Sequence, residues 1–437
     1  MKRRALVSIL IVVVAILFLA GPPALRLVGC LPKTQIALRK AYQGPPTTRG
    51  SPVEDWPKWR GPRGDQISRE VLADQWPAGG PRTLWAADVG IGYSSPVVAG
   101  GRVYLFSLND GRETLTAFDA DSGKIAWSVE GGGGWSSSYA GTRATPTIDG
   151  DRIYTYGGGG ELTGRDLADG KARWTLSVLA QSGGSTNQWG IASSPLVTND
   201  RVYVQGGQGG AIAVAVDKMS GAVAWKSQAT GSGGYAAPIL IDVAGTPQLI
   251  VFAGDAIVSM NPADGRTIWR ESWQTSYDVN ASTPIYRDGR LFVTSEYQHG
   301  CAQFQLTASG AKKLWENRNI EGKFQGAILD GDHLYANSAA TLVCVRWDDG
   351  SLAWSAKESN LRLGVGGSLI RTGDKLLAMS ERGKLSLIRA TPEGYELVGQ
   401  GQAVEGKEVW ATPVLYGGRL YAKGAQELVC LDLSPKK

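Results

Sequence analysis

FDADSGKIAW, residues 118–127, decides how the chain reads, because the pattern returns elsewhere. An acidic turn, a glycine and a tryptophan four residues later come back in GRDLADGKARW ending at Trp174 and VDKMSGAVAW ending at Trp225. NPADGRTIW and RWDDGSLAW repeat it at Trp269 and Trp354. GGPRTLW at Trp85 and TASGAKKLW at Trp315 carry one extra residue after the glycine, and TPEGYELV puts Val398 in the tryptophan slot. The run DADSG has the look of a calcium loop, which needs glycine at its sixth position and glutamate at its twelfth. Here the glycine is fifth from Asp119, and the other copies keep no ligand pattern. The unit reads as a tight turn between two strands, and no metal site is expected.

A second signature runs ahead of the first. GYSSPVVAGGRVYLFS (92–107) returns as RATPTIDGDRIYTYG (143–157), ASSPLVTNDRVYVQG (192–206), YAAPILIDVAGTPQLIVFAG (235–254) and ASTPIYRDGRLFVTS (281–295). FQGAILDGDHLYANS (324–338), VGGSLIRTGDKLLAMS (365–380) and WATPVLYGGRLYAKG (410–424) complete the set. Each copy is a short apolar run, a turn of Gly, Asp or Asn, and an alternating run, which is a hairpin by turn chemistry and by period. A third strand follows, then the glycine turn, then the strand bearing the tryptophan. Four strands recurring at roughly 40–50 residues predict the blades of a propeller. The last copy lacks its tryptophan strand, while RTLWAADV precedes the first hairpin as a spare. Pairing the two would leave no open edge. The expectation is an all-β, closed eight-bladed propeller over residues 56–437.

Charge separates the N-terminus from that body. Residues 1–54 carry eight basic groups against Glu54, leaving 37 of the 45 basic and 39 of the 40 acidic groups in the remainder. A near-neutral body lacks the basic face that nucleic-acid binding needs. Lys2, Arg3 and Arg4 precede an uncharged run from Ala5 to Gly21, at the short end of a membrane span. Positive charge before it puts the body outside the cytoplasm. Residues 1–30 are therefore expected to form a membrane helix, a single-pass inner-membrane anchor with the propeller on the periplasmic side. The alternatives are cleavage as a signal segment and lipidation at Cys30 in LVGC. Residues 31–55 read as a polar, proline-bearing tether. Cys301, Cys344 and Cys430 are scattered and imply no disulfide framework.

The A-x-D-x-x-S/T-G-K-x-x-W unit resembles the repeat of pyrroloquinoline-quinone (PQQ) dehydrogenases and of the outer-membrane assembly lipoprotein BamB. DWPKWRGPRGDQIS (55–68) is similar to the head of bacterial propellers of the PQQ-like family. In the dehydrogenases, the resemblance implies a quinone clamped between a tryptophan and a disulfide of adjacent cysteines, a calcium ion on carboxylates and an asparagine, and an aspartate base. No two cysteines are adjacent here, and no residue can be placed as calcium ligand or base by motif. The resemblance thus implies a non-catalytic scaffold without cofactor, its partners being envelope or outer-membrane assembly proteins. A PQQ-dependent dehydrogenase and a carbohydrate- or peptide-binding sensor are the alternatives.

For any of these, the place to look is the funnel where the innermost strands begin. By repeat register the residues there are Tyr93, Arg143, Ala192, Tyr235, Ala281, Phe324, Val365 and Trp410. The glycine-rich loops 131–143 and 181–190 bring Trp135, Asn187, Gln188 and Trp189 towards the same face. Tyr93, Arg143, Trp189, Tyr235 and Trp410 are the candidate ligand-binding residues. Their aromatic faces would otherwise simply plug the channel. Arg143, among glycines and aromatics, calls for an anionic partner.

Overall fold

The structure, a computed structural model, describes residues 36–40, 53–359 and 361–435. The apolar run 5–21 and Cys30 lie outside these residues. Among the described residues no helix is long and apolar enough to cross a membrane.

The turn that opens the repeat is held by its acidic residue. Asp119 Oδ1 accepts from Ser122 N at 2.8 Å, and Gly123 N donates to Asp119 O at 2.8 Å. Asp217 does the same for Ser220 and Gly221. With that turn closed, each repeat pairs as an antiparallel four-stranded meander. In blade 1 the strands are Val97–Ala99, Arg102–Asn109, Arg112–Asp119 and Ile125–Gly133. Blades 2 to 7 follow the same order, their innermost strands beginning at Thr147, Leu196, Ile239, Ile285, Ala327 and Ser368. Blade 8 takes Val414–Tyr416, Arg419–Lys423 and Glu427–Asp432 from the C-terminus and Arg82–Asp88 from the N-terminus. Arg82 pairs with Asp432 and Asp88 with Glu427, so the ring closes as the spare strand predicts.

The glycine and the tryptophan recur together because they meet across blades. A Cβ at Gly123 would lie 2.6 Å from the Trp85 ring of the preceding blade; at Gly170 it would lie 2.6 Å from Trp127. Gly221 and Gly265 meet Trp174 and Trp225 in the same way, at 2.6 and 2.5 Å. Each of these glycines also has φ between +71° and +76°, where a side chain is disfavoured. Three of these indoles donate into the turn they cover, Trp85 Nε1 to Ala120 O at 3.1 Å, Trp174 Nε1 to Lys218 O at 3.0 Å and Trp225 Nε1 to Pro262 O at 2.9 Å, whereas the buried Trp127 Nε1 has no hydrogen-bond partner among the described residues. Trp269 instead donates to Gln248 Oε1 of its own blade; in the next blade the paired strands run on to Leu306 and Ala311, and a Cβ at Gly310 would have no ring within 4 Å.

Around the axis, the small residues before each inner strand tie blade to blade. Thr412 N donates to Ser95 Oγ at 2.9 Å, Ser95 N to Thr145 Oγ1 at 3.2 Å, and Thr145 N to Ser194 Oγ at 2.9 Å. Buried apolar residues fill the spaces between sheets, and Cys301, Cys344 and Cys430 are free thiols within them.

Two N-terminal pieces have structure that the repeat pattern does not announce. Ala37–Lys40, within the span expected to be a tether, adds a fifth strand outside Arg82–Asp88. Leu38 packs against the blade 8 core, and Arg39 pairs with Asp88 and Glu427. Residues 56–70 lie across the channel. Trp56 bridges to Val98 of blade 1, Pro57 O accepts from Ile148 of blade 2, and buried Arg60 donates to Gln325 O and Ala327 O at 2.7 and 2.8 Å. Ile67–Ser68 pairs parallel to Ser368–Thr372. The segment ends with Glu70 accepting from Gly417 N and Gly418 N.

Candidate functional site: an aromatic funnel on the axis

The residue that precedes each inner strand points at the axis, so the ring itself gathers the site. A cavity of about 240 Å³ opens there, and Trp59 of the crossing segment is among the residues that line it. All the register positions named above line it except Val365. The five candidates Tyr93, Arg143, Trp189, Tyr235 and Trp410 are brought together around this one space. Of the loop residues, Asn187 is instead buried, donating to Gly233 O and Gly234 O at 3.0 Å, and Gln188 is exposed. Trp135 stands behind Arg143 rather than in the cavity.

The walls are two aromatic groups. On one side Trp410 has Tyr93, Tyr139 and Phe324 around it, with ring centroids 5.0, 5.3 and 5.0 Å away. On the other side Trp189 meets Tyr235 at 6.1 Å and Tyr277 at 5.9 Å, and Tyr277 meets Tyr297 at 6.0 Å. Rings at these separations attract each other through their quadrupoles and fix one another's orientation. Tyr139, Tyr277 and Tyr297 have φ of 56°, 64° and 63°, a conformation that bulky side chains adopt only when surroundings impose it.

Two cations reach this space. Arg143 lies between the Tyr93 and Trp135 rings, 5.7 and 5.8 Å from their centroids. In place of the anionic partner expected for it, its guanidinium donates to three carbonyls of its own loop: Gly141 at 2.8 Å, Ser138 at 3.2 Å, and Tyr139. Burial lowers its pKa to about 10, so it remains charged at neutral pH. Lys323 is different. Burial works against its charge, but Glu296 at 2.9 Å outweighs that and leaves its pKa above the usual lysine value. Burial pushes the Tyr235 phenol up to about 12 and, with Glu408 beside it, raises Tyr93 further, so both stay protonated.

Tyr139, Tyr297, Lys323 and Trp59 were not legible as site residues. Tyr139 sits inside the quoted loop 131–143 but off the register position, and Lys323 directly precedes Phe324. Tyr297 comes from a hairpin tip of blade 5, where no repeat register points. Trp59 belongs to the head segment, which carries no signal for the channel.

The family model described as outer membrane protein assembly factor BamB matches residues 76–244 and 253–437. The chain belongs to this family. No curated protein matches it. Among solved structures, BamB from Moraxella catarrhalis superposes with a TM-score of 0.61 at 15% identity, covering 82% of this chain and 98% of that one. Quinohemoprotein alcohol dehydrogenase from Comamonas testosteroni also gives 0.61, at 13% identity over 88% of this chain and 81% of its own. The computationally designed Ika8 protein gives 0.56 at 11% identity, over 79% and 98%. At such identities these likenesses establish the fold, which BamB, a dehydrogenase and a designed protein share.

The quinone reading can be tested on the residues. The lining of the cavity contributes no carboxylate, asparagine or cysteine. Cys301, Cys344 and Cys430 stand on separate strands of blades 5, 6 and 8. The donor set and thiol clamp that the dehydrogenase resemblance implies do not fit this funnel, although its aromatic faces would accept a planar ring.

Proposed function

We propose that this BamB-family chain is an exported, membrane-tethered propeller that binds partners in the envelope and catalyses no reaction. The observation that carries this is the lining of the funnel: aromatic faces, a guanidinium and the ion-paired ammonium of Lys323, with no carboxylate to act as base or hold a metal. A catalytic metal needs oxygen, nitrogen or thiolate donors of that kind around it, and the aspartate base that the dehydrogenase resemblance implies has no counterpart in the lining. The closed ring supports the reading further, because interlocked blades make a rigid disc with loops on both faces, a surface suited to binding rather than to opening and closing. The family's description, outer membrane protein assembly factor, names the class of partner.

Affinity capture of the full chain from detergent-solubilised envelopes tests this. The reading expects outer-membrane assembly proteins to co-purify and to be lost when the chain is urea-unfolded before capture. Recovery of the chain alone, after mild cross-linking, would contradict it.

A further inference from the structure

One stretch of the funnel wall belongs to no blade. Residues 135–141 lie between the outer strand of blade 1, which ends at Gly133, and the inner strand of blade 2, which begins at Thr147. Both ends of this loop are fixed. Gly134 N donates to Gly111 O at 3.2 Å, the Trp135 side chain packs on Gly158 and Gly190, and Thr142 Oγ1 donates to Phe106 O at 2.8 Å. Gly141 N closes the loop on Trp135 O at 2.9 Å. Between the ends the chain has little of its own to hold it. Ser136, Ser137, Ser138 and Tyr139 are exposed, and among the described residues no backbone N–H from Ser136 to Ala140 donates to another group of the protein.

What holds it is chiefly one guanidinium. Arg143 Nη1 donates to Gly141 O at 2.8 Å, and Nη2 donates to Ser138 O at 3.2 Å and to Tyr139 O. Trp135 Nε1 adds a donor to Ser138 O at 3.1 Å. Hydrogen bonds from a charged donor are the strong kind, so the arginine's own loop supplies the acceptors that its charge calls for. Held this way, the loop lays Tyr139 on Trp410, ahead of the inner strand of blade 8, with ring centroids 5.3 Å apart. The φ of 56° at Tyr139 is a strained one for a bulky residue. A segment with exposed backbone and few buried apolar contacts opens at low cost in free energy, and opening here also relieves that strain. Trp189, on the opposite wall, packs against Tyr235 and Tyr277 instead.

We propose that Ser136–Ala140 is a flap over the funnel, hinged at Gly141, and that Arg143 is its latch. Closed, the flap covers Trp410 with Tyr139; open, it uncovers that wall and widens the mouth. Gly141 has φ 118°, a conformation left to glycine, and Thr142 beyond it is fixed. Turning at Gly141 therefore swings its own N–H off Trp135 O. The proposal rests on the reading of the chain as a binding propeller, since a flap matters only where something enters.

Hydrogen exchange and hydroxyl-radical footprinting of the full chain in detergent, both read at single residues by mass spectrometry, test it. In the unmutated protein the Gly141 amide should be at least about tenfold less protected than that of Leu115, in a central strand of blade 1, because the flap opens without the blade. Arg143→Gln should lower Gly141 protection by at least about a further tenfold, the loss of one charge-assisted hydrogen bond. It should also raise radical labelling of Trp410 severalfold and leave Trp189 unchanged. Tyr139→Ser, which keeps the latch and removes the cover, should raise labelling of Trp410 as well. Gly141 as protected as Leu115 in the unmutated protein, or Trp410 labelling unchanged in Tyr139→Ser, would overturn the proposal whether or not Arg143→Gln folds. An equal rise at Trp410 and Trp189 in Arg143→Gln would overturn it too, because the whole funnel would then have loosened. If the flap stays shut while envelope proteins still co-purify, this inference alone fails.

Discussion

The contact between a tryptophan and the next blade's glycine can be measured by adding one methyl group. Gly265 has φ +74°, and a Cβ there would lie 2.5 Å from Trp225 Cε3 and 2.8 Å from Cζ3. Gly111 has nearly the same backbone, φ +76°, with no atom within 4 Å of its Cβ direction. Alanine at Gly111 should therefore cost only the left-handed backbone, about 1–2 kcal/mol. Alanine at Gly265 bears that cost and must also displace an indole that is 8% exposed and hydrogen-bonded to Pro262 O. Overpacking of this kind adds about 1–3 kcal/mol, so Gly265→Ala should cost about 2–5 kcal/mol. Trp225→Ala alone should cost about 3–5 kcal/mol. In the Trp225→Ala background the ring is gone, and Gly265→Ala should fall back to the Gly111→Ala value. Equilibrium urea unfolding followed by circular dichroism gives all four corners of the cycle. A coupling of about 1–3 kcal/mol is expected. Gly265→Ala no worse than Gly111→Ala, or two fully additive substitutions, would refute the idea that the repeat is built on this contact.

Other outcomes follow from closure and from two buried charges. A chain beginning at Gly90 lacks Arg82–Asp88 and should aggregate or melt without cooperativity, whereas one beginning at Glu54 should melt as a single unit; alike melting curves would mean the strand does not close blade 8. Glu113 is buried between blades 1 and 2 and accepts from Gly158 N at 2.7 Å, yet burial raises its pKa from 4.5 to about 7. The stability it contributes is full below pH 4.5 and is lost as pH rises to about 7, an effect of roughly 3 kcal/mol; Glu113→Gln should flatten the stability curve in that window. Lys423 is 1% exposed, and burial lowers its pKa from 10.5 to about 7. Its contribution is full above pH 10.5 and is lost as pH falls to about 7, so Lys423→Met should flatten the alkaline side, and an unchanged slope would show the ammonium to be solvated.

The fold is legible because the repeat states the same physics many times. Asp119, Gly123 and Trp127 specify a turn, a backbone conformation and a wedge, and the copies at Trp174 and Trp225 confirm each role. Ring closure is legible for the same reason: a strand missing at the C-terminus matches a strand spare at Arg82–Asp88. Ala37–Lys40 and Ile67–Ser68 are too short to show a period, and their pairing depends on an edge that exists only once blades 7 and 8 have formed. In the site, Tyr93, Tyr235 and Trp410 could be found because the repeat register places them at the start of an inner strand. Tyr139 and Tyr297 could not, since their left-handed backbones are imposed by tertiary packing. Arg143 was found, but its carbonyl partners come from a loop whose path the sequence does not state.

Oxidation assayed with a dye acceptor tests the central functional claim most directly. The purified chain is incubated with PQQ and calcium and offered primary alcohols and aldoses. With no carboxylate lining the funnel and no two cysteines adjacent in the sequence, dye reduction should not exceed that of the cofactor and calcium alone. Turnover well above that control, lost in Trp410→Ala, would contradict the account and make the funnel an active site.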